Sequence, residues 1–374
     1  MNGFMFGKMR QSGKISKNFI LILMLLLILV SVFFMSVGLG SVEIAWHDVL
    51  SILVRETVTE ILDIFVGSDA MPEVLKTIVG SDVISEVYRS IVLNIRLPRA
   101  LATIVGGASL AVAGLLLQVF FRNAIVEPFV LGVSSGSTLF VGLILLSGAN
   151  LGLSYISPAY LFFGAFLGAA AVMLLSVAIA HKVRNVITLL VVGLMIGYIA
   201  SAATTVLVTF ARQEQVRMFV LWTMGSFSGV VWEHVIILIV IAAIALMASF
   251  FMSKPLNAFL LGEEYAKSMG VSIKLFRISI IIISSVLSGI VTAIAGPVAF
   301  IGLAVPHIAR MIFATSDNRV LIPASVLIGA ALTGLCDLVA RLVLAPAEVP
   351  ISAVTSFVGA PIVIFLLLKK RNLL

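Results

Sequence analysis

Apolar runs of roughly twenty residues, each closed by a charge, a glycine or a proline, recur along almost the whole chain. They lie at about 18–39, 98–119, 129–148, 158–180, 187–210, 234–252, 274–295, 298–314, 320–344 and 350–368. A helix rises about 1.5 Å per residue, so a run of this length matches the roughly 30 Å hydrocarbon core of a bilayer. With no water there to hydrogen-bond the backbone, each run is expected to be helical. The pattern predicts an all-α, polytopic membrane protein of about ten transmembrane helices, one domain over residues 1–374. Phe219 to Val231 is apolar but broken by Gly and Ser, which predicts a short helix at the outer surface and not a span.

One polar island interrupts this pattern, from Pro255 to Val271. Leu256 to Leu261 form one short helix, Gly262 breaks it, Glu263 to Met269 start another, and Gly270 fits a C-terminal stop. Glu263 stands four residues before Lys267, the favourable order for an ion pair along a helix. A solvated loop lying on the lipid surface is the plain reading. The alternative is a handle for a soluble partner.

The chain is 61% hydrophobic and 11% charged, with a mean hydropathy of +1.23, well below the charged content of a soluble domain. Its net charge of +7 does not point to nucleic acid, because the basic residues sit in short clusters between apolar runs, where they orient spans. The segment 41–95 is acidic, with nine of the chain's 17 acids between Ser41 and Ser90, and follows a basic N-terminus with Lys8, Arg10, Lys14 and Lys17. It is expected outside. The run Phe19 to Val37 could be a signal peptide, but it is longer than a signal h-region and is read as an uncleaved first helix. Alternation then puts His181–Lys182–Arg184, Lys254 to Arg277, Arg310 to Arg319 and Lys369–Lys370–Arg371 inside; Arg212 and Arg217 are the exception. Both termini and the island 255–271 are thereby expected in the cytoplasm. Spans two to five and seven to ten form two sets with opposite starting sides, the mark of an inverted-topology repeat.

Resident chemistry is sparse. Cys336 is the sole cysteine, and His47, His181, His234 and His307 lack ligand spacing, so no metal site and no cofactor are expected. No Gly-x-x-x-x-Gly-Lys-Ser/Thr phosphate loop occurs, and no nucleophile or paired-carboxylate constellation stands out, so no catalytic residue is assigned. Asp337 is the only acid expected well inside a span, one turn before Arg341, which it is placed to neutralise. One such acid is thin support for an ion-coupled carrier, and the energy source is expected to be ATP bound by a partner.

Several motifs carry a resemblance. They are Arg96-Leu97-Pro98-Arg99, Gly106-Gly107-Ala108, Gln118, Arg122-Asn123 through Glu127-Pro128, Leu131-Gly132 through Gly136, and Trp222 through Ser226. Leu261 through Gly270, Gly296-Pro297 through His307, Asp317 to Arg319, Asp337 to Arg341, Glu348-Val349-Pro350 and Gly359-Ala360-Pro361 continue it in order. Together they resemble the permease subunits of the ABC importers for iron–siderophore complexes, haem and cobalamin (FecCD-like, type II importer permeases). The likeness spans about 91–371, with Asn123-Ala124 where the family usually has Asn-Pro.

The resemblance implies a homodimer or close heterodimer of ten-helix permeases in the plasma (inner) membrane of a bacterium or archaeon. Cytoplasmic ATPase subunits and an extracytoplasmic binding protein complete the assembly, and the chain itself is not an enzyme. It implies that Arg96, Arg99 and Arg341 dock the binding protein, guanidinium being suited to bidentate carboxylate contacts; snorkelling to the headgroups is the rival role. It implies that Leu256, Leu260, Leu261, Gly262, Glu263, Glu264, Lys267, Met269 and Gly270 couple to the ATPase. Asn185, Val186, Ile187 and Thr188 lie where the family closes its cytoplasmic gate. Gly106, Gly107, Gly114, Gly132, Ser134, Ser135 and Gly136 are expected to allow close helix packing. The expected cargo is an iron–siderophore complex, with cobalamin or haem as alternatives within the family. An ion-coupled secondary transporter and a membrane enzyme are the readings from other classes.

Overall fold

A computed structural model of the chain describes residues 2–66, 86–147, 157–183 and 185–371, and every regular element among them is helical. Residues 67–85 of the acidic segment, residue 148 of the third expected span and Arg184 of one basic cluster lie outside the described residues. Helix α1 spans Asn2–Gly38, α2 Trp46–Val66 and α3 Glu86–Ser90. A π-helical turn, Ile91–Arg96, leads without a break into α4, Leu97–Phe121. Then follow α5 (Val133–Ser147), α6 (Pro158–Lys182), α7 (Val186–Phe210), α8 (Gln213–Thr223) and α9 (Trp232–Phe251). The island forms α10 (Ser253–Leu260) and α11 (Glu263–Ser268). Last come α12 (Ile273–Ala295), α13 (Ile301–Phe313), α14 (Asn318–Leu342) and α15 (Ile351–Arg371).

Among the described residues seven helices are long and apolar enough to cross a membrane, and three shorter apolar helices, Val133–Leu146, Ile301–Phe313 and Ile351–Phe365, account for the remaining expected runs. The centre is α4, α12 and α14, whose most apolar stretches are 83%, 72% and 67% buried, against 17–28% for α1, α7 and α9 at the periphery. Small residues set the spacing in this centre. A Cβ on Gly107 would fall on Thr333 and the Gly329 carbonyl of α14, and one on Gly114 would fall on the backbone of Gly302. Backbones that approach this closely bring helices together without a hydrophobic driving force from water. The packing expected of Gly107 and Gly114 is therefore seen directly.

Two expected spans, 129–148 and 298–314, hold helices shorter than the runs, starting three or four residues late. Helix α4 ends at Arg122 (φ 49°); a 3-10 turn, Pro128–Leu131, and Gly132 (φ 76°) then precede α5, which has 15 residues. Likewise α12 ends at Gly296 (φ 71°), the chain runs past Pro297 to Phe300 (φ 67°), and α13 has 13 residues. Both short helices start inside the molecule, since Gly132 packs on Gly193 and Gly197 of α7, and Gly302 on Leu110 and Pro128. Proline and left-handed residues stop the helix, at the gaps the runs themselves leave near 120–128 and 296–297.

The two breaks meet. The Glu127 carboxylate accepts from the Phe300 N–H at 3.4 Å, and Gln118 Nε2 donates to the carbonyls of Gly302 (3.3 Å) and Leu303 (3.2 Å). His307 Nε2 lies 2.8 Å from the Ala124 carbonyl, and Arg310 donates to Gln118 Oε1 at 2.8 Å. Irregular backbone at this depth is thus satisfied by protein and not left to lipid. The order helix, break, short helix, 25-residue helix occurs twice, through α4–α6 and α12–α14. The first copy starts at the end of the bundle that holds Arg96 and Arg99, the second at the end that holds the island, so the halves run in opposite directions.

The short helix expected at Phe219 to Val231 forms earlier, at Gln213–Thr223, because Gly225 (φ 72°) and Gly229 (φ 75°) bend the chain beyond it. The acidic segment also begins with a helix, α2, whose Val49 and Ile52 pack with Val37, Val92 and Ala100.

Candidate functional site

The three arginines converge at one end of the bundle, and their guanidinium groups are engaged within the chain. Arg96 closes the π-helical turn, is 4% exposed, and donates to the carbonyls of Val37 (3.2 Å), Gly38 (2.6 Å) and Val42. It thereby caps the end of α1. Arg341 does the same from α14, donating to the Ser36 carbonyl and to Ser36 Oγ, both at 2.7 Å. Arg99 forks between two acids. Its Nε and Nη2 reach Asp337 at 3.0 and 2.8 Å, and its Nη1 and Nη2 reach Glu348 at 2.6 and 3.1 Å.

The pairing expected along α14 is corrected by this geometry. Asp337 is fully buried and its main partner is Arg99, across the helix interface, with Arg341 farther away at 3.6 Å. Bidentate contact between a planar guanidinium and a carboxylate is stronger than one long contact along a helix. None of the three snorkels. Glu348, in the turn after α14, is the partner that pattern reasoning missed. Its side chain is 38% exposed, and it lines a cavity of about 240 Å³ together with Arg96, Arg99 and Arg341.

At the opposite end the island forms as expected in outline. Gly262 (φ 136°) separates α10 from α11 and Gly270 (φ 85°) ends α11, both in conformations that favour glycine. Leu256 is fully buried in the core together with Phe259 and Ala266, which removes it from any outward contact surface and corrects its place among the coupling residues. A residue that anchors α10 to the bundle has no face left for a partner. Leu260, Leu261, Tyr265 and Met269 point out, with Leu261 69% and Met269 60% exposed. Glu264 and Lys267 are exposed beside them.

Polar clamps hold the base of this island. Arg122 Nη2 donates to the Phe259 carbonyl at 2.8 Å while its guanidinium stacks 4.8 Å above the Phe259 ring. Asn257 donates to Asp317 Oδ1 at 2.6 Å and accepts from the Asn318 backbone and side-chain amides at 2.9 and 2.8 Å. Asp317 also accepts from the Arg319 N–H, capping α14. Glu263 pairs with Arg277 of α12 at 2.7 Å, and Arg277 also reaches the Val183 carbonyl at 3.3 Å. The expected Glu263–Lys267 pair is replaced, because the nearly buried Arg277 fork competes better than a solvated ammonium. Asn257, Arg277 and Arg122 were not singled out as clamps; only the recurrence of Asn and Asp at 257, 317 and 318 hinted at a side-chain network.

Asn185 accepts from the Ile187 N–H at 2.8 Å and so caps α7, with Ile187 and Thr188 exposed and Val186 half-buried at its start. At Asn123-Ala124, Asn123 Oδ1 accepts from the Ile125 N–H at 3.0 Å and holds the turn. Among the described residues no cluster of His, Cys, Asp or Glu has metal-ligand geometry.

Comparison with known proteins agrees with this architecture. The sequence model of the FecCD transport family matches residues 25–369. The chain is 37% identical over 281 residues to the vitamin B12 import system permease protein BtuC of Citrobacter koseri, covering 75% of this chain and 84% of that one. It is 35% identical over 281 residues, with the same coverage, to the hemin transport system permease protein HmuU of Yersinia pestis. A solved structure described as an inward-facing conformation of a protein assigned as a metal-chelate type ABC transporter superposes with a TM-score of 0.76 at 28% identity. That match covers 93% of this chain and 99% of the other.

Proposed function

The chain belongs to the FecCD transport family and is a multi-pass permease subunit of an ABC importer; from that premise we propose that it imports a large iron chelate of the siderophore class, driven by a separate ATPase. The permease works as a homodimer or close heterodimer in the plasma membrane of a bacterium, with both termini and the island 255–271 in the cytoplasm and the segment 41–95 outside. Cytoplasmic ATPase subunits dock on Leu260, Leu261, Glu263, Glu264, Lys267 and Met269, with Gly262 and Gly270 shaping the two turns. An extracytoplasmic binding protein docks at the arginine end and delivers the cargo, and Asn185 to Thr188 close the inner end of the path.

One observation carries the ATPase contact: an exposed apolar knob on a base clamped to α4, α12 and α14. A partner that pushes on such a knob moves the core helices, whereas a loose loop would absorb the push. At the arginine end, Arg99 is the group placed to exchange partners, because Glu348 is partly exposed and a carboxylate of the binding protein can take its place. Arg96 and Arg341 keep α1 in position for that exchange. Hydrolysis belongs to the partner, and the chain contributes the path. The relatives named for vitamin B12 and hemin support a second reading of the cargo, cobalamin or haem.

Reconstitution tests both levels. Vesicles holding the permease, its ATPase and its binding protein should accumulate the iron–siderophore chelate only with ATP inside, and should lose uptake when the ATPase is omitted. Accumulation by the permease alone would sink the ATP-driven reading. Preferential uptake of cobalamin or haem over siderophore chelates would replace the cargo and leave the importer standing.

A further inference from the structure

Between the island and the start of α12 lies a crevice of about 570 Å³ that none of the described residues fills. Its walls are mainly apolar, with Pro255, Leu275 and Phe276 among them, and its polar members include Lys254 and Ser272. It opens where α9 ends. Above it, Val240, Ile244, Met247 and Phe251 make an exposed stripe on α9 at helical spacing, with Phe251 72% exposed. Leu275 of the crevice wall is itself 64% exposed on α12. The stripe belongs to a peripheral candidate span, and its last member, Phe251, adjoins Met252 and Lys254 of the crevice wall, so the crevice lies at the end of an exposed apolar face.

The charged corner fits an anion. Lys254 is exposed at the rim and is the one cation among the residues that line the crevice. Ser272 makes no side-chain cap at the start of α12, so the positive end of α12 adds to the lysine charge. A crevice that is apolar towards the bilayer core and cationic at the interface complements a phospholipid, acyl chains along the apolar face and phosphate at the rim.

We propose that this crevice binds one anionic glycerophospholipid of the adjoining leaflet, beside the island and against the base of α12. The bound lipid occupies the wedge between α10 and α12, and an island packed on lipid sits in a defined orientation. Anionic lipid thereby sets how firmly the island is held.

Trp46, Trp222 and Trp232 all lie at the opposite end of the bundle: Trp46 packs on Gly38 at the end of α1, Trp222 beside Gly296 at the end of α12, and Trp232 donates to the Leu93 carbonyl. Leu275→Trp therefore places one indole at the crevice, at an exposed position that leaves the core intact. The full chain carrying this change is reconstituted into phosphatidylcholine vesicles with graded brominated phosphatidylglycerol or brominated phosphatidylcholine, and quenching is read relative to the parent. Phosphatidylglycerol should bind in preference to phosphatidylcholine by roughly fivefold, the ratio one lysine near an anionic site supplies. Adding Lys254→Ala should bring that preference close to one. Equal quenching by both lipids, or a preference that survives Lys254→Ala, would overturn the assignment. Absence of quenching by either lipid would do so too, and would mean that protein covers the crevice.

Discussion

The arginine end and the island end of the molecule treat charge in opposite ways. At the arginine end three guanidiniums are spent inward, on Asp337, Glu348 and the last carbonyls of α1, and little of them reaches the surface. At the island end the polar groups are also spent inward, on the clamps at Asn257, Arg122 and Arg277, but their effect is to push apolar side chains out. One end stores charge behind a partly exposed acid. The other presents a greasy knob on a stiff mount. A surface that must recognise an acidic partner reversibly suits the first design, and one that must transmit force suits the second.

The largest effect expected from breaking this contrast is at Asp337. Asp337→Ala leaves Arg99 and Arg341 buried without their shared acid, and removing one partner of such a buried pair costs about 3–5 kcal/mol. Thermal unfolding of the purified chain should show a marked loss, and a near-normal melting temperature would refute the burial argument. Next comes Leu261→Asp, which alters no core contact. It should weaken ATPase binding by about 2 kcal/mol or more if the knob is an interface anchor. Unchanged co-purification and hydrolysis would remove Leu261 from the docking surface.

Asn257→Ala should cost about 1–3 kcal/mol, because it strips partners from Asp317 and Asn318. Hydrogen exchange in residues 253–272 should rise while exchange at the arginine end stays the same. Equal change at both ends would mean that the island has no mount of its own. The smallest stability effect is expected from Glu348→Gln, under about 1 kcal/mol for a partly solvated pair. Binding-protein docking should nevertheless tighten a few-fold, because Arg99 no longer has an internal carboxylate to give up. Weaker docking would show that Glu348 is part of the receiving surface and not a competitor for it.

The spans were legible because a bilayer imposes a length and a polarity that leave a direct trace in composition. Gly262 and Gly270 were legible too, since few other residues accept their dihedral angles. The helix breaks at 122–132 and 296–300 were legible as gaps between runs, marked by Arg122, Asn123, Glu127 and Pro128 and by Gly296-Pro297. The inward start of the short helices that follow was not, because hydropathy does not record where an apolar run begins in depth. Arg96, Arg99 and Arg341 were found as a group, but their partners were not. Glu348 is one of eight acids outside 41–90, and nothing local marks it as lying beside a residue 249 positions away. Asp337 was matched to the nearest arginine in sequence when the better-placed one stood on another helix. Long-range polar pairing depends on how α4 and α14 face each other, and hydropathy carries no record of that.

Helix α1 is the least buried of the candidate spans, yet its end is fastened by Arg96 and Arg341 through carbonyls of Val37, Gly38 and Ser36. Most of these acceptors are main-chain carbonyls, present whatever side chain stands there, and the side-chain demands on α1 gather at its end, in Ser36 Oγ and in Gly38, where a Cβ would meet Trp46. The exposed remainder of the span is asked only for apolar surface, so the specificity of its attachment is concentrated in its last few residues and in two arginines contributed by other elements.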